Sequence, residues 1–367
     1  MKILYIYSGG RKARISLLEK GSAASEFFYG YWELSQKKVK VDFIDVREET
    51  QSAMSARLLN YFYYHMQVLP CRTTGDLLCI LYSLRDKLNS YDVIVATTTG
   101  IGFSLELLRS LRIVKSPVLT IHCGVMNYVY NKPTDMLTGY LLKRGLTQVF
   151  GVGELEAMTR HYNLVDNCIE LNEFGVDTTF WKPAFTKVNP QYMLAVGNCG
   201  RRDYDLLMRV AAEVDIPLKV LTDRPPVNTP KNVELIRGRM HTDYERPDTE
   251  LRDLYRGASL VVVPLIESLQ PSGQSVTLQA MACGTPVVLT KTQGLWNKTI
   301  LRDGYNCCLV EPRSDRQMTT AIKALLDKPQ QRKTIGGNSM TTVKACWGID
   351  SFSHRIHQAC QRLFDRV

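Results

Sequence analysis

Residues 272–288 read SGQSVTLQAMACGTPVV, and their first turn could hold an anion. Ser272 or Ser275 can cap a helix start, because a hydroxyl accepts from free backbone N–H groups. Gly273 lets a ligand approach the backbone closely. The amides of Gln274, Ser275 and Val276, at the positive end of the helix dipole, favour a phosphate. Gln279 lies four residues beyond Ser275, on the same helix face. From there it can reach a sugar attached to that phosphate. A carboxylate would accept from two sugar hydroxyls but repel a diphosphate. An amide donates and accepts without that repulsion. The alternative is a plain strand–loop–helix–strand unit in which the glycine and serine only make the turn and Gln279 packs inside.

Three other groups carry chemistry. Arg201 and Arg202, in GNCGRRDYDLL, follow a strand, and two cations facing a diphosphate would stabilise charge growing on a leaving group. The alternative is a surface pair bridging to Asp203 or Asp205. His122 ends PVLTIH, where an imidazole can donate to or accept from a sugar hydroxyl, or can be structural. Gly9 and Gly10 close the first strand, but the full Gly-x-Gly-x-x-Gly dinucleotide pattern is missing. Arg11, Lys12 and Arg14 behind them suit an anionic acceptor or water. No metal-ligand spacing, Ser-His-Asp order or nucleic-acid motif is present.

These residues need strand ends to hold them, and the chain supplies them. KILYIYS, KVKVDFIDV, YDVIVATTT, PVLTIHCG and NCIELNEFGV read as strands separated by helical stretches such as EFFYGYWELSQ and GFSLELLRSLRI. GVDTTFWKPAFTKVNPQ breaks the rhythm, which restarts with QYMLAVGN, PLKVLTD, NVELIRG, SLVVVPL and TPVVLT. Alternating strands and helices imply a parallel sheet covered on both faces. The expected fold class is α/β, with two doubly wound Rossmann-like domains facing across a cleft. The expected domains are 1–182, 190–345 and a C-terminal helix over 346–367 packing back toward the first. Ligands on such sheets bind at the carboxyl ends of the strands.

The bulk numbers agree with a globular chain. It has 367 residues, 45% apolar and 22% charged. The net charge of +10 is uneven. Residues 1–180 hold 20 basic and 18 acidic residues, and 181–367 hold 26 and 18. That balance favours anionic partners. Ten scattered cysteines without a Cys-x-x-Cys pair read as reduced core residues of a cytoplasmic protein. The opening apolar run is too short for a signal peptide. LLNYFYYHMQVL, 58–69, reads as core, an acceptor wall or a bilayer contact.

The run LQAMACGTPVV resembles the donor-site signature of retaining family-four-like glycosyltransferases with the GT-B fold. EFGVDTTFWKP, LAVGNCGRRDYDLLMRVA, LYRGASLVVVP and LRDGYNCCLVEP resemble further segments of that family in the same order. The resemblance implies a cytoplasmic transferase moving a sugar from a nucleotide-diphosphate sugar to an acceptor hydroxyl, with retention and without a metal or other cofactor. It implies donor diphosphate contacts from Arg201, Arg202, Gly273, Gln274, Ser275, Val276, Gly9 and Gly10, and a ribose contact from Gln279. It gives His122 a hydrogen bond to the donor sugar, the catalytic assignment. It gives Met240 and His241, in RGRMHTD, the base. The acceptor class stays open among glycan, lipid-linked and small molecules, with peripheral membrane contact and no nucleic acid. The usual pair of glutamates falls here at Pro271 and Gln279, with Glu267 four residues before the first. A nucleotide-sugar epimerase, a non-catalytic nucleotide-sugar binding protein and a nucleic-acid-binding protein, which would explain the basic second half, are the rival readings.

Overall fold

The structure, a computed structural model, describes residues 1–49, 69–184, 192–238 and 247–366. The chain forms two compact units. The first comprises Met1–Ser16, Phe28–Glu173 and Phe352–Val367, and the second Leu17–Phe27 and Phe174–Ser351. The change of unit comes at Glu173 and Phe174, ahead of the compositional break near 182–190. A short early stretch, Leu17–Phe27, belongs to the later unit.

The first sheet contains β1 (Lys2–Tyr7), β2 (Lys40–Asp45), β3 (Val93–Ala96), β4 (Val118–Ile121), β5 (Leu146–Val149) and β6 (Ile169–Leu171). Their order is β2-β1-β3-β4-β5-β6. The second contains β7 (Tyr192–Val196), β8 (Leu218–Leu221), β9 (Val233–Ile236), β10 (Ala258–Val263), β11 (Val287–Thr290) and β12 (Cys308–Val310). Their order is β12-β11-β10-β7-β8-β9. Neighbouring strands are parallel in both sheets. Every residue of β3, β4, β5, β10 and β11 is buried. Helices cover both faces of such sheets, so their strands read as unbroken apolar runs. Leu207, Leu218, Leu260, Val262 and Ile322 lie in the core of the second unit.

Some helices differ from their sequence readings. EFFYGYWELSQ gives a short turn at Glu26–Phe28 and a helix only at Tyr31–Gln36, because Gly30 adopts a left-handed φ of 87°. Lys132–Leu142 and Pro329–Cys346 form helices that apolar periodicity did not mark. Tyr-rich 58–68 lies outside the described residues. The C-terminal helix spans Ile349–Phe364, and from Phe352 it belongs to the first unit. There Arg355 donates from Nε to Asn172 Oδ1 at 2.6 Å and from Nη2 to the Glu173 carbonyl at 3.0 Å. All ten cysteines are free thiols. Among the described residues no helix is long and apolar enough to cross a membrane.

Leu260 is fully buried at the centre of the second sheet. Leu260→Ala should lower stability by about 2–5 kcal/mol, the range for truncating a buried leucine. A urea titration followed by circular dichroism checks it.

Candidate anion-binding site at the switch point of the second sheet

The second sheet runs outward from β7 in two directions, through β8 to β9 and through β10 to β12. That is the order 3-2-1-4-5-6, whose direction reverses between β7 and β10. Ligands of open α/β sheets bind beside the carboxyl ends of strands at this reversal. The loops leaving those ends carry Arg201–Arg202 and Ser272–Gly273. Backbone bonds join the two loops. Asp203 N donates to the Pro264 carbonyl at 3.1 Å, and Ile266 N to the Arg201 carbonyl at 3.1 Å.

Arg202 lies across the end of β7. Its Nε donates to the Val196 carbonyl at 3.1 Å, and its Nη1 lies 3.4 Å from Cys199 Sγ. Gly197 makes this possible, since a Cβ there would sit 2.3 Å from Arg202 Nε. Asp203, next in sequence, caps the following helix by accepting from Leu206 N at 3.0 Å. The Arg201 side chain makes no ion pair or hydrogen bond among the described residues. Its backbone does the joining.

Gly273 ends the second loop with a left-handed φ of 78°. It precedes the helix Gln274–Ala282, which has no side-chain cap. The first intrahelical bond runs from Thr277 N to the Gly273 carbonyl at 2.9 Å. The amides of Gln274, Ser275 and Val276 therefore precede Thr277 N, the first intrahelical donor. A Cβ on Gly273 would stand 3.5 Å from Arg202 Nη1. The guanidinium and the helix start thus converge on one spot. Ser272 Oγ and Thr277 Oγ1, both buried, have no hydrogen-bond partner. Orphaned buried hydroxyls are uncommon and call for an explanation. A positive helix end, a guanidinium and two unsatisfied hydroxyls suit an oxyanion such as a phosphate.

The structure corrects the expected role of Gln279. Its side chain is fully buried and turned inward. Oε1 accepts from Tyr255 OH at 3.1 Å, and Nε2 donates to Glu26 Oε1 at 2.8 Å. That leaves it away from the surface a ribose contact needs. Glu26 Oε1 also accepts from Trp181 Nε1 at 2.7 Å. Burial, and next the negative charge of Asp177, push the Glu26 carboxyl up to about 8. Glu267, exposed, accepts from Ser268 N at 3.0 Å and Gln293 N at 2.8 Å. Pro271 is buried. Met240 and His241 lie outside the described residues.

The first-unit candidates have separate settings. Gly9 and Gly10 have φ of 145° and 78° and precede the helix Arg11–Glu19. The amides of Arg11 and Lys12 there already donate to Asp45 Oδ2, at 2.8 and 3.0 Å. An anion at this helix start would meet that carboxylate, so the loop is not carried into the proposed site. Arg11 and Arg14 are buried, and Lys12 pairs with Glu48 at 3.2 Å. His122 is 2% exposed and lies 4.8 Å, centroid to centroid, from Phe103, the rings tilted by 47°. It borders a small cavity with Gly102, Thr120 and Glu106. Its Nδ1 lacks a partner. Burial lowers its pKa to about 3, so the ring is neutral at ordinary pH and acts only through hydrogen bonds. Among the described residues no cluster of three or more His, Cys, Asp or Glu could hold a metal ion.

Sequence reasoning missed Glu26 and Trp181. The available signal was one carboxylate inside the apolar stretch AASEFFYG and an indole beside the Gly-Val-Asp turn.

Residues 191–328, all within the second unit, match the family described as "Glycosyl transferases group 1". A D-inositol 3-phosphate glycosyltransferase from Catenulispora acidiphila is 36% identical over 150 residues, covering 40% of this chain and 35% of that protein. One from Rhodococcus opacus is 27% identical over 220 residues, covering 51% and 46%. The chain thus spans less than half the length of these relatives. Among solved structures, sucrose-phosphate synthase from Thermosynechococcus elongatus superposes with a TM-score of 0.73 at 16% identity, covering 100% of both chains. HepE from Anabaena, in complex with UDP-glucose, gives 0.68 at 13% identity, covering 99% of this chain and 100% of that one. These likenesses establish the GT-B class of fold, two Rossmann-like units each built on a six-stranded parallel sheet.

A methyl group on Gly273 would meet Val263 Cγ1 at 2.6 Å, in a backbone conformation that costs a residue with a Cβ about 1–2 kcal/mol. Gly273→Ala should lower the urea midpoint accordingly and weaken pyrophosphate binding, measured by calorimetric titration.

Proposed function

We propose that this chain, whose residues 191–328 match the group 1 glycosyltransferases, transfers a sugar from a nucleotide-diphosphate sugar to an acceptor hydroxyl with retention of configuration. The observation that carries this reading is the convergence of Arg202 and the Gly273 helix start at the switch point of a Rossmann-ordered sheet. The donor diphosphate lies against the amides of Gln274, Ser275 and Val276, with Arg202 beside it and Arg201 next in line. As the bond from the anomeric carbon to the diphosphate oxygen breaks, negative charge grows on that oxygen. A fixed guanidinium and a helix dipole stabilise that charge without reorganising. The departing diphosphate takes the acceptor's proton on the face it leaves, so the step needs no strong enzymic base and no metal. His122, 2% exposed in the first unit, is buried like Gln279 and is not carried into this site.

The acceptor belongs with the first unit. The relatives' names point to a phosphorylated polyol. A lipid-linked acceptor is favoured by an exposed face there. Val129, Met136 and Tyr140 stand out beside Lys132 and Lys143, on and next to the helix Lys132–Leu142. Exposed apolar and basic side chains together suit the surface of an anionic bilayer, consistent with a cytoplasmic enzyme in peripheral membrane contact.

A thermal-shift screen with UDP-, GDP- and ADP-linked hexoses tests the donor class, because binding to the native state raises its melting temperature. One member should raise it and the others should not. With that donor, Arg202→Ala removes a charged hydrogen bond worth about 1.5–3 kcal/mol and should raise Kd roughly 10- to 100-fold. An unchanged Kd refutes the donor site.

A further inference from the structure

We propose that Glu26 is a positioning residue for the helix Gln274–Ala282, and that position 279 carries an amide because a carboxyl from another part of the chain already faces it. The donor role of that helix rests on the function proposed above; the Glu26–Gln279 pairing does not.

Leu17–Phe27 is built into the second unit although the neighbouring sequence on both sides belongs to the first. Three consecutive residues fix its end. Ala24 N donates to Asp248 Oδ2 at 2.9 Å, and Ser25 Oγ to Asp177 Oδ2 at 3.4 Å. Glu26 reaches further in and accepts from both Trp181 and Gln279. Gln279 passes the chain of bonds on to Tyr255. Glu26, Gln279, Tyr255 and Trp181 are all fully buried. The Trp181 and Tyr255 rings meet edge to face at 5.8 Å. Gln279 therefore ties its helix, within two turns of Gly273, to the Glu26 segment, the Asp177 turn and the helix Asp248–Gly257 that carries Tyr255. Such a set of bonds fixes the rotation and axial position of the helix whose first amides face the proposed phosphate.

An amide suits this place and a second carboxylate does not. Glu26 Oε1 already accepts two hydrogen bonds, and Gln279 must donate one of them. Glutamate at 279 could donate only while protonated, and two facing carboxyls cannot both ionise. The titratable groups around Glu26 add to the difficulty. Asp177 and Asp248 raise its pKa, and the thiol of Cys283 and the phenol of Tyr255 also couple to it. No cation among those groups offsets them. The familiar glutamate of this position is thus incompatible with the Glu26 arrangement unless residue 26 changes too.

The test uses four full-length proteins: wild type, E26Q, Q279E and E26Q/Q279E. Melting temperature is read from pH 5 to pH 9, and Kd for the nucleotide sugar found by the screen is read at pH 8. Glu26 holds its proton to about pH 8 in the folded chain, whereas the unfolded chain ionises near 4.5. Wild-type stability from this group is complete below the lower value and declines as pH rises to the upper one. E26Q should remove that decline, so its melting temperature gains on wild type between pH 5 and pH 8. Q279E should melt below wild type at pH 8, by much less at pH 5, and bind donor about tenfold or more weakly. The double exchange restores one carboxyl and one carboxamide. It should recover the melting temperature and return Kd to within about threefold of wild type. If Q279E fails to fold, a folded and binding double variant supports the proposal equally.

Q279E melting like wild type at pH 8, or a double variant no better than Q279E, overturns the pairing. Recovery of melting temperature with Kd left high overturns the positioning role. If no nucleotide sugar binds wild type, the functional reading and the positioning role fall together, and the melting temperatures still decide the pairing.

Discussion

The second unit is organised around the approach of one guanidinium to one helix start. Arg202 can lie across the end of β7 only because Gly197 has no Cβ in its way. Gly273 can turn into its helix beside that guanidinium only with a left-handed backbone and no side chain against Val263. The two loops hold their spacing through main-chain bonds at Asp203 and Ile266. Backbone pins of this kind are stiffer than side-chain contacts, and a preformed anion site gains from stiffness because little ordering remains to be done on binding. Two cations or a bare helix end elsewhere on the surface would not have the same effect. The convergence lies at a strand-order reversal, where ligands of open α/β sheets bind.

Behind that helix lies an interior made of polar parts. Glu26, Gln279, Trp181 and Tyr255 share one chain of hydrogen bonds with no exposure to water. Burying a charged carboxylate without a cation is costly, so the group keeps its proton instead. A neutral network costs less than a charged one, and its bonds tie Trp181, Glu26, Gln279 and Tyr255 into one arrangement. It also shows why the helix is apolar over most of its surface yet carries one amide: Val276, Leu278, Ala280, Met281 and Ala282 pack against the core, and Gln279 makes the polar link.

Much of this was legible before the structure. SLVVV and PVVLT read as buried strands, and β10 and β11 are buried at every position. Gly284, with a φ of 76°, stops the Gln274–Ala282 helix where glycine followed by Thr285-Pro286 suggested. Arg202 and Gly273 were grouped by their places after two strands, and a Cβ on Gly273 would stand 3.5 Å from Arg202 Nη1. What escaped depends on distant partners. Nothing local tells Leu17–Phe27 to join the second unit, and Gln279 looked available because its partner lies 253 residues away. Pro329–Cys346 hides its helix behind Gly336 and Gly337. Gly336 is there because a Cβ would meet the Gly284 carbonyl at 2.2 Å. The Gly9–Gly10 turn looked like a phosphate loop, and Asp45, at the far end of β2, fills the helix start it leads to.

The central claim is that a donor diphosphate rests on the start of the Gln274–Ala282 helix beside Arg202. A crystal structure of the protein grown with its nucleotide-sugar donor tests it most directly. It should show diphosphate oxygens within about 3 Å of the amides following Gly273 and of the Arg202 guanidinium. A nucleotide bound elsewhere, with no phosphate at that helix start, would contradict it.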